Sequence, residues 1–73
     1  MLTNDTRSAY GREGVQAGSP DAFGSMLAGD TETAVVDTIA NILHFCEDEA
    51  IDFRVCLASA QISFQAERFG DEI

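Results

Sequence analysis

The sequence predicts an all-α protein. Two long stretches repeat apolar residues at three- and four-residue spacing, helix-start signals stand before each of them, and a short acidic turn separates them. The expected architecture is an antiparallel helical hairpin of about residues 31–47 and 52–69. A short helix at about 20–28 and an irregular N-terminal arm precede it. Residues 1–18 are read as the arm and 19–73 as a single small helical domain.

Each element has its own reason. Residues 1–18 hold Gly11, Gly14 and Gly18 among scattered charges without apolar periodicity, which reads as irregular chain. The arm holds Arg7 and Arg12, two of the four Arg, so it is suited to lie on a strongly acidic body. In the short helix, Ser19 is a good N-cap, Pro20 suits the first helical position and Asp21 suits the positive end of the helix dipole. Phe23, Met26 and Leu27 share a face, and Gly29 suits the stop. The first long helix is capped by Asp30 or Thr31 and carries Val35, Val36, Ile39, Ile42, Leu43 and Cys46 on one face. Asp37, Asn41, His44 and Asp48 fall opposite, and Phe45 lies off the main stripe as a candidate contact anchor. Residues 47–52 form the turn, with Ile51 tucked back just before the cap residue Asp52.

The last helix has two apolar faces. At about 100° per residue, Phe53, Leu57, Ala60 and Phe64 fall on one side. Val55, Ala58, Ile62, Ala66 and Phe69 fall on nearly the opposite side. The first face is the stronger core candidate. The second is covered either by the N-terminal part of the same chain, with the short helix as the obvious cover, or by a second subunit or a target. A homodimer through this face, with Val55, Ile62 and Phe69 near its axis, is the expected assembly, because chains this small often need oligomerisation to bury enough surface. Gly70 suits the stop of this helix, and further acids follow it.

Composition narrows the function classes. Thirteen Asp and Glu against four Arg and no Lys give a net charge of −9. That argues against direct nucleic-acid binding, which needs basic patches, and against an anionic membrane surface. A basic protein partner is the natural complement, although acidity also serves solubility alone. No basic-then-apolar stretch reads as a secretory signal and no apolar run reaches the ~18 residues of a membrane span, so the expected location is the cytoplasm. Cys46 and Cys56 lie almost symmetrically about the turn. They read as two buried thiols in a reducing compartment, with a disulfide as the lesser alternative.

Nothing in the sequence assembles a catalytic centre. His44 and Asp48 at helical spacing offer two metal ligands, but structural zinc wants four. The acidic turn lacks the ligand alternation and central Gly of a calcium loop. No Ser or Cys has a base and an orienting group at hand, and the glycines follow no phosphate-binding spacing. The expectation is a non-enzyme without metal or cofactor. The cluster that carries functional physics is Asp37, Glu47, Asp48, Glu49 and Asp52, on or beside the first long helix, with no basic residue between Thr31 and Phe53. Such a rod of carboxylates can occupy a basic groove in place of a nucleic acid, aided by electrostatic steering. Phe45, Val55, Ile62 and Phe69 are the candidate apolar interface.

Residues 37–67 combine an apolar helix ending near His44 and Phe45, the acidic turn and the Ile51–Asp52–Phe53 step. Leu57, Ala60, Phe64 and Glu67 follow. This segment resembles a loose group of small acidic helical proteins carried by phages and other mobile elements. The resemblance covers under half of the chain and transfers no site residues. It implies a setting in which small accessory proteins bind a host factor, as anti-CRISPR and anti-restriction inhibitors do. The function expected on this basis is an inhibitor or adaptor that offers a carboxylate-rich helix to a basic site on a nucleic-acid-handling complex. The alternative is a structural or regulatory homodimeric subunit with no inhibitory role.

Overall fold

The computed structural model describes residues 2–71, with Asp71 described by its backbone alone. The chain is all-α. Four helices follow in order, α1 (Asn4–Gly18), α2 (Pro20–Leu27), α3 (Thr31–Asp48) and α4 (Phe53–Asp71), and no strand occurs among the described residues. The short helix and both long helices lie where the apolar periodicity places them.

Residues 4–18 correct the expectation of an irregular arm, because they form α1. Thr3 caps it, its hydroxyl accepting from the Thr6 amide at 3.2 Å, and Asp5 lies in the first turn. Its glycines do not break it. Gly18 instead permits a close approach: a Cβ there would stand 2.6 Å from Thr38 Oγ1, and the Gly18 carbonyl accepts from Asn41 Nδ2 at 3.2 Å. At its other end, Asn4 Nδ2 donates to the Glu67 carbonyl at 3.1 Å, and Arg7 Nε pairs with the Glu67 carboxylate at 2.8 Å. The N-terminal segment therefore does lie on the acidic body, as a helix spanning from the middle of α3 to the far end of α4.

Ser19, extended at φ −174°, ends α1 and caps α2, its hydroxyl accepting from the Ala22 amide at 3.0 Å. α2 and α3 each end in the same pair of backbone hydrogen bonds. Asp30 N donates to Ser25 O at 2.8 Å and Gly29 N to Met26 O at 3.1 Å; likewise Ile51 N donates to Cys46 O at 2.8 Å and Ala50 N to Glu47 O at 3.2 Å. Both closures need a left-handed residue, Gly29 at φ 86° in the first and Ala50 at φ 57° in the second. Asp30 is the cap of α3, accepting from the Thr33 amide at 3.1 Å and the Thr33 hydroxyl at 2.7 Å. These two bonds hold the Asp30 carboxyl below the ordinary carboxylate range, the hydroxyl contributing most.

α2 packs on α3 and on α1, and α1 packs on α3. The expected role of α2 as the cover of α4 is thus corrected: the three-residue link Ala28–Asp30 keeps α2 beside α3. The two long helices leave their shared turn and diverge without packing along their lengths, so the helical pair is open. α4 meets the body chiefly through the N-terminal end of α1. It also runs through Gly70, which does not act as its stop; glycine inside a helix costs about 1 kcal/mol and need not end it. Glu72 and Ile73, the last part of the expected acidic end, lie outside the described residues.

The consequence for the core is large. Among the described residues Ala22, Ala34 and Cys46 are the buried ones, and no Val, Leu, Ile, Met, Phe or Tyr there is buried. Both faces of α4 stay open, including Leu57 and Phe64 on the face expected to be core, with Phe53 half-buried. Val35, Val36, Ile39, Ile42 and Leu43 of α3 are exposed as well. The radius of gyration is 13.8 Å, against about 11 Å for a compact chain of this length. The molecule is flat, with extents of 37 × 32 × 18 Å.

Candidate functional site

The vertex where α3 meets α4 gathers the carboxylates. Backbone hydrogen bonds fix its shape, as the α3 closure through Ala50 leaves the side chains of Glu47, Asp48 and Glu49 free and exposed. Asp52 has a local duty, since its side chain accepts from the Arg54 amide at 3.0 Å at the entry to α4. The Arg54 guanidinium lies 3.9 Å from the same carboxylate with its side chain 93% exposed, too open to neutralise the vertex. The structure thus brings Glu47, Asp48, Glu49 and Asp52 together. Asp37 stands apart, half-buried on α3 and about 16 Å up the helix axis from Asp48.

The electrostatics of the vertex oppose stability. Glu47 and Asp48 occupy the last turn of α3, which holds no basic residue. The helix dipole places partial negative charge there, and acids at that end are unfavourable by roughly 0.3–1 kcal/mol each when exposed. A positive charge brought near the vertex relieves this term.

The apolar candidates are all open to solvent. Phe45 is 59% exposed, Val55 62%, Ile62 72% and Phe69 69%. Val55, Ile62 and Phe69 recur every seven residues along one side of α4, the spacing of a helix–helix seam. Phe64 turns the other way, into a crevice against α1 lined by Asn4, Arg7, Ser8 and Glu67. Arg68 lies over the Phe64 ring at 5.6 Å.

Both cysteines are free. Cys46 is buried, in keeping with its place on the apolar face of α3, whereas Cys56 is exposed rather than the second buried thiol expected. The difference has the same cause as the bare faces of α4, because that helix meets the body chiefly through α1 near Glu67. Among the described residues no group of three or more His, Cys, Asp or Glu gathers to hold a metal ion, and His44 is an exposed side chain of α3. No helix among the described residues is long and apolar enough to cross a membrane.

Glu67 is the residue whose role sequence reasoning misses. It anchors α1 through its carboxylate and its carbonyl. Its partners lie at the opposite end of the chain, and helical spacing carries no signal across that distance. Comparison with protein-family models, with curated proteins and with solved structures finds no match to this chain.

Proposed function

We propose that the chain is a non-enzymatic protein-binding module that presents the carboxylates of the α3–α4 vertex to a basic site on a protein partner. The observation that carries this reading is the acidic vertex itself. From Glu32 to Asp52 the chain holds six carboxylates and no Lys or Arg. Two of them crowd the negative end of α3, where they weaken the helix. Charges placed at a cost to stability are better explained by recognition than by folding, and solubility alone does not require that position. The turn is also preorganised by its backbone bonds, which lowers the ordering cost of docking.

The setting proposed is that of an inhibitor or adaptor of mobile-element origin, acting in the cytoplasm on a nucleic-acid-handling complex in the manner of an anti-CRISPR protein. It rests on the resemblance of residues 37–67 and on the chemistry of a basic groove that normally takes phosphates. The test is affinity capture from a nuclease-treated bacterial lysate at low salt and at about 0.5 M salt, where the Debye length falls to a few Å. The expected result is one basic nucleic-acid-binding complex at low salt, lost at high salt and with the triple variant Glu47→Gln, Asp48→Asn, Glu49→Gln. Recovery of no basic complex at low salt, or recovery indifferent to the triple variant, removes the reading.

A further inference from the structure

We infer that a second copy of this chain covers α4, so that the fold is completed by a two-fold homodimer built on that helix. The inference concerns the apolar surface and is independent of the carboxylate vertex. Three observations lead to it.

The first is area. Folded monomers follow a scaling that gives about 4,400 Å² of accessible surface for 7.8 kDa. This chain exposes 5747 Å², about 1,400 Å² more than a compact monomer of its mass. Two copies together carry an excess of roughly 2,800 Å², inside the roughly 2,000–5,000 Å² range of obligate homodimer interfaces. One pairing event therefore absorbs the surplus of both chains.

The second is the chemistry of α4. From Phe53 to Ala66 the helix has no carboxylate, the longest such run in a chain with thirteen acids, and its one charge is Arg54. The seams between its apolar faces are Ser59, Ser63, Gln61 and Gln65, polar but uncharged. A helix left in water is normally charged along its outer face, and one that is apolar on opposite sides is normally buried. Along this helix Leu57, Phe64, Val55 and Ile62 are all exposed within the single chain.

The third is charge. A partner for this surface must tolerate a body of net charge −9. A basic protein gains nothing by docking on the one long stretch without acids. Another copy, itself at −9, meets no carboxylate from Phe53 to Ala66 and so little repulsion along that stretch. The acid-free helix fits a like-charged copy better than it fits an oppositely charged stranger. Two-fold pairing then follows, since the same patch must serve both chains. It places Val55, Ile62 and Phe69 in the contact, with the open angle between α3 and α4 available to the partner's α4.

The experiment is light scattering of the full chain from about 1 to about 100 µM, with thermal unfolding at each concentration. The expected mass is twice 7.8 kDa, with an unfolding midpoint that rises with concentration. Ile62→Glu should weaken the pair by at least about a hundredfold, because it places an unpaired carboxylate in the contact. The Glu47→Gln, Asp48→Asn, Glu49→Gln variant should stay paired, and added salt should not dissociate the wild type. Ile62 is 72% exposed in the single chain, so its substitution removes little internal packing. If Ile62→Glu loses its helices, the wild-type midpoint decides: a rise with concentration supports the dimer. A wild type that is monomeric with a concentration-independent midpoint overturns the inference, as does an assembly larger than two. A dimer that survives Ile62→Glu overturns its placement on α4.

Discussion

In α2, α3 and the end of α1, small residues let backbones meet. Ala22 and Ala34 are fully buried, and Gly18 sits against Thr38 with no room for a Cβ. In α4, no residue from Phe53 to Gly70 is buried, although this helix carries two Phe, a Leu and an Ile along its length before Phe69. The two regions obey the same local rules. Ser19, Asp30 and Asp52 each accept a backbone N–H at a helix start. They differ in what lies beside them, so helix formation and core formation are separate matters in this chain. The first three helices have neighbours supplied by two short links, while α4 is set apart by its turn and tethered at its far end by Arg7 and Glu67.

The contrast breaks most readily from the packed side. Ala34→Leu puts a large side chain where none fits and should cost about 1–3 kcal/mol, read as a lower denaturant midpoint at unchanged slope. A neutral result would mean that α2 and α3 are not packed as described. At the vertex, Ala50 adopts φ 57°, which glycine accepts without strain. Ala50→Gly should therefore stabilise the chain by roughly 0.5–1 kcal/mol, seen as a higher melting temperature. A loss of stability there would contradict the left-handed turn that opens α4 away from α3.

Smaller effects sharpen the tether. The Arg7–Glu67 pair has each side chain 34% exposed, so Arg7→Ala should cost only about 0.5–1 kcal/mol globally. Its signature should be regional: faster amide exchange in the last turns of α4, with α2 and α3 unchanged. The smallest effect is a pH dependence at the start of α3. Asp30 has a lowered folded pKa, so its contribution is present above the unfolded value and is lost as pH falls through the folded one. Asn caps nearly as well as Asp and does not titrate. The difference in melting temperature between wild type and Asp30→Asn should narrow as pH falls from about 6 to about 3.

Much of the fold is legible in the sequence because it is local. Ser19-Pro20-Asp21 and Asp30 announce helix starts, and Ile51-Asp52 announces the turn. α1 is not legible, because three glycines and a weak apolar pattern hide a helix whose support is tertiary: Thr38 and Asn41 at one end, Glu67 at the other. The acidic vertex is readable as a cluster, yet only the structure separates Asp52, which caps α4, from Glu47, Asp48 and Glu49, which do not serve the fold. Asp37 looks like a member by helical spacing and stands about 16 Å away. The two faces of α4 are plain in the pattern. That neither is covered is not, because periodicity says which residues seek burial and nothing about what buries them.

Within a single chain α4 is the unfinished part of this fold. Native-state hydrogen exchange, read helix by helix at dilute and at concentrated protein, tests it most directly. The α4 amides should exchange faster than those of α2 and α3 in dilute solution and should gain protection steeply as concentration rises. Equal protection of α3 and α4 at the lowest concentration, unchanged at the highest, would contradict it.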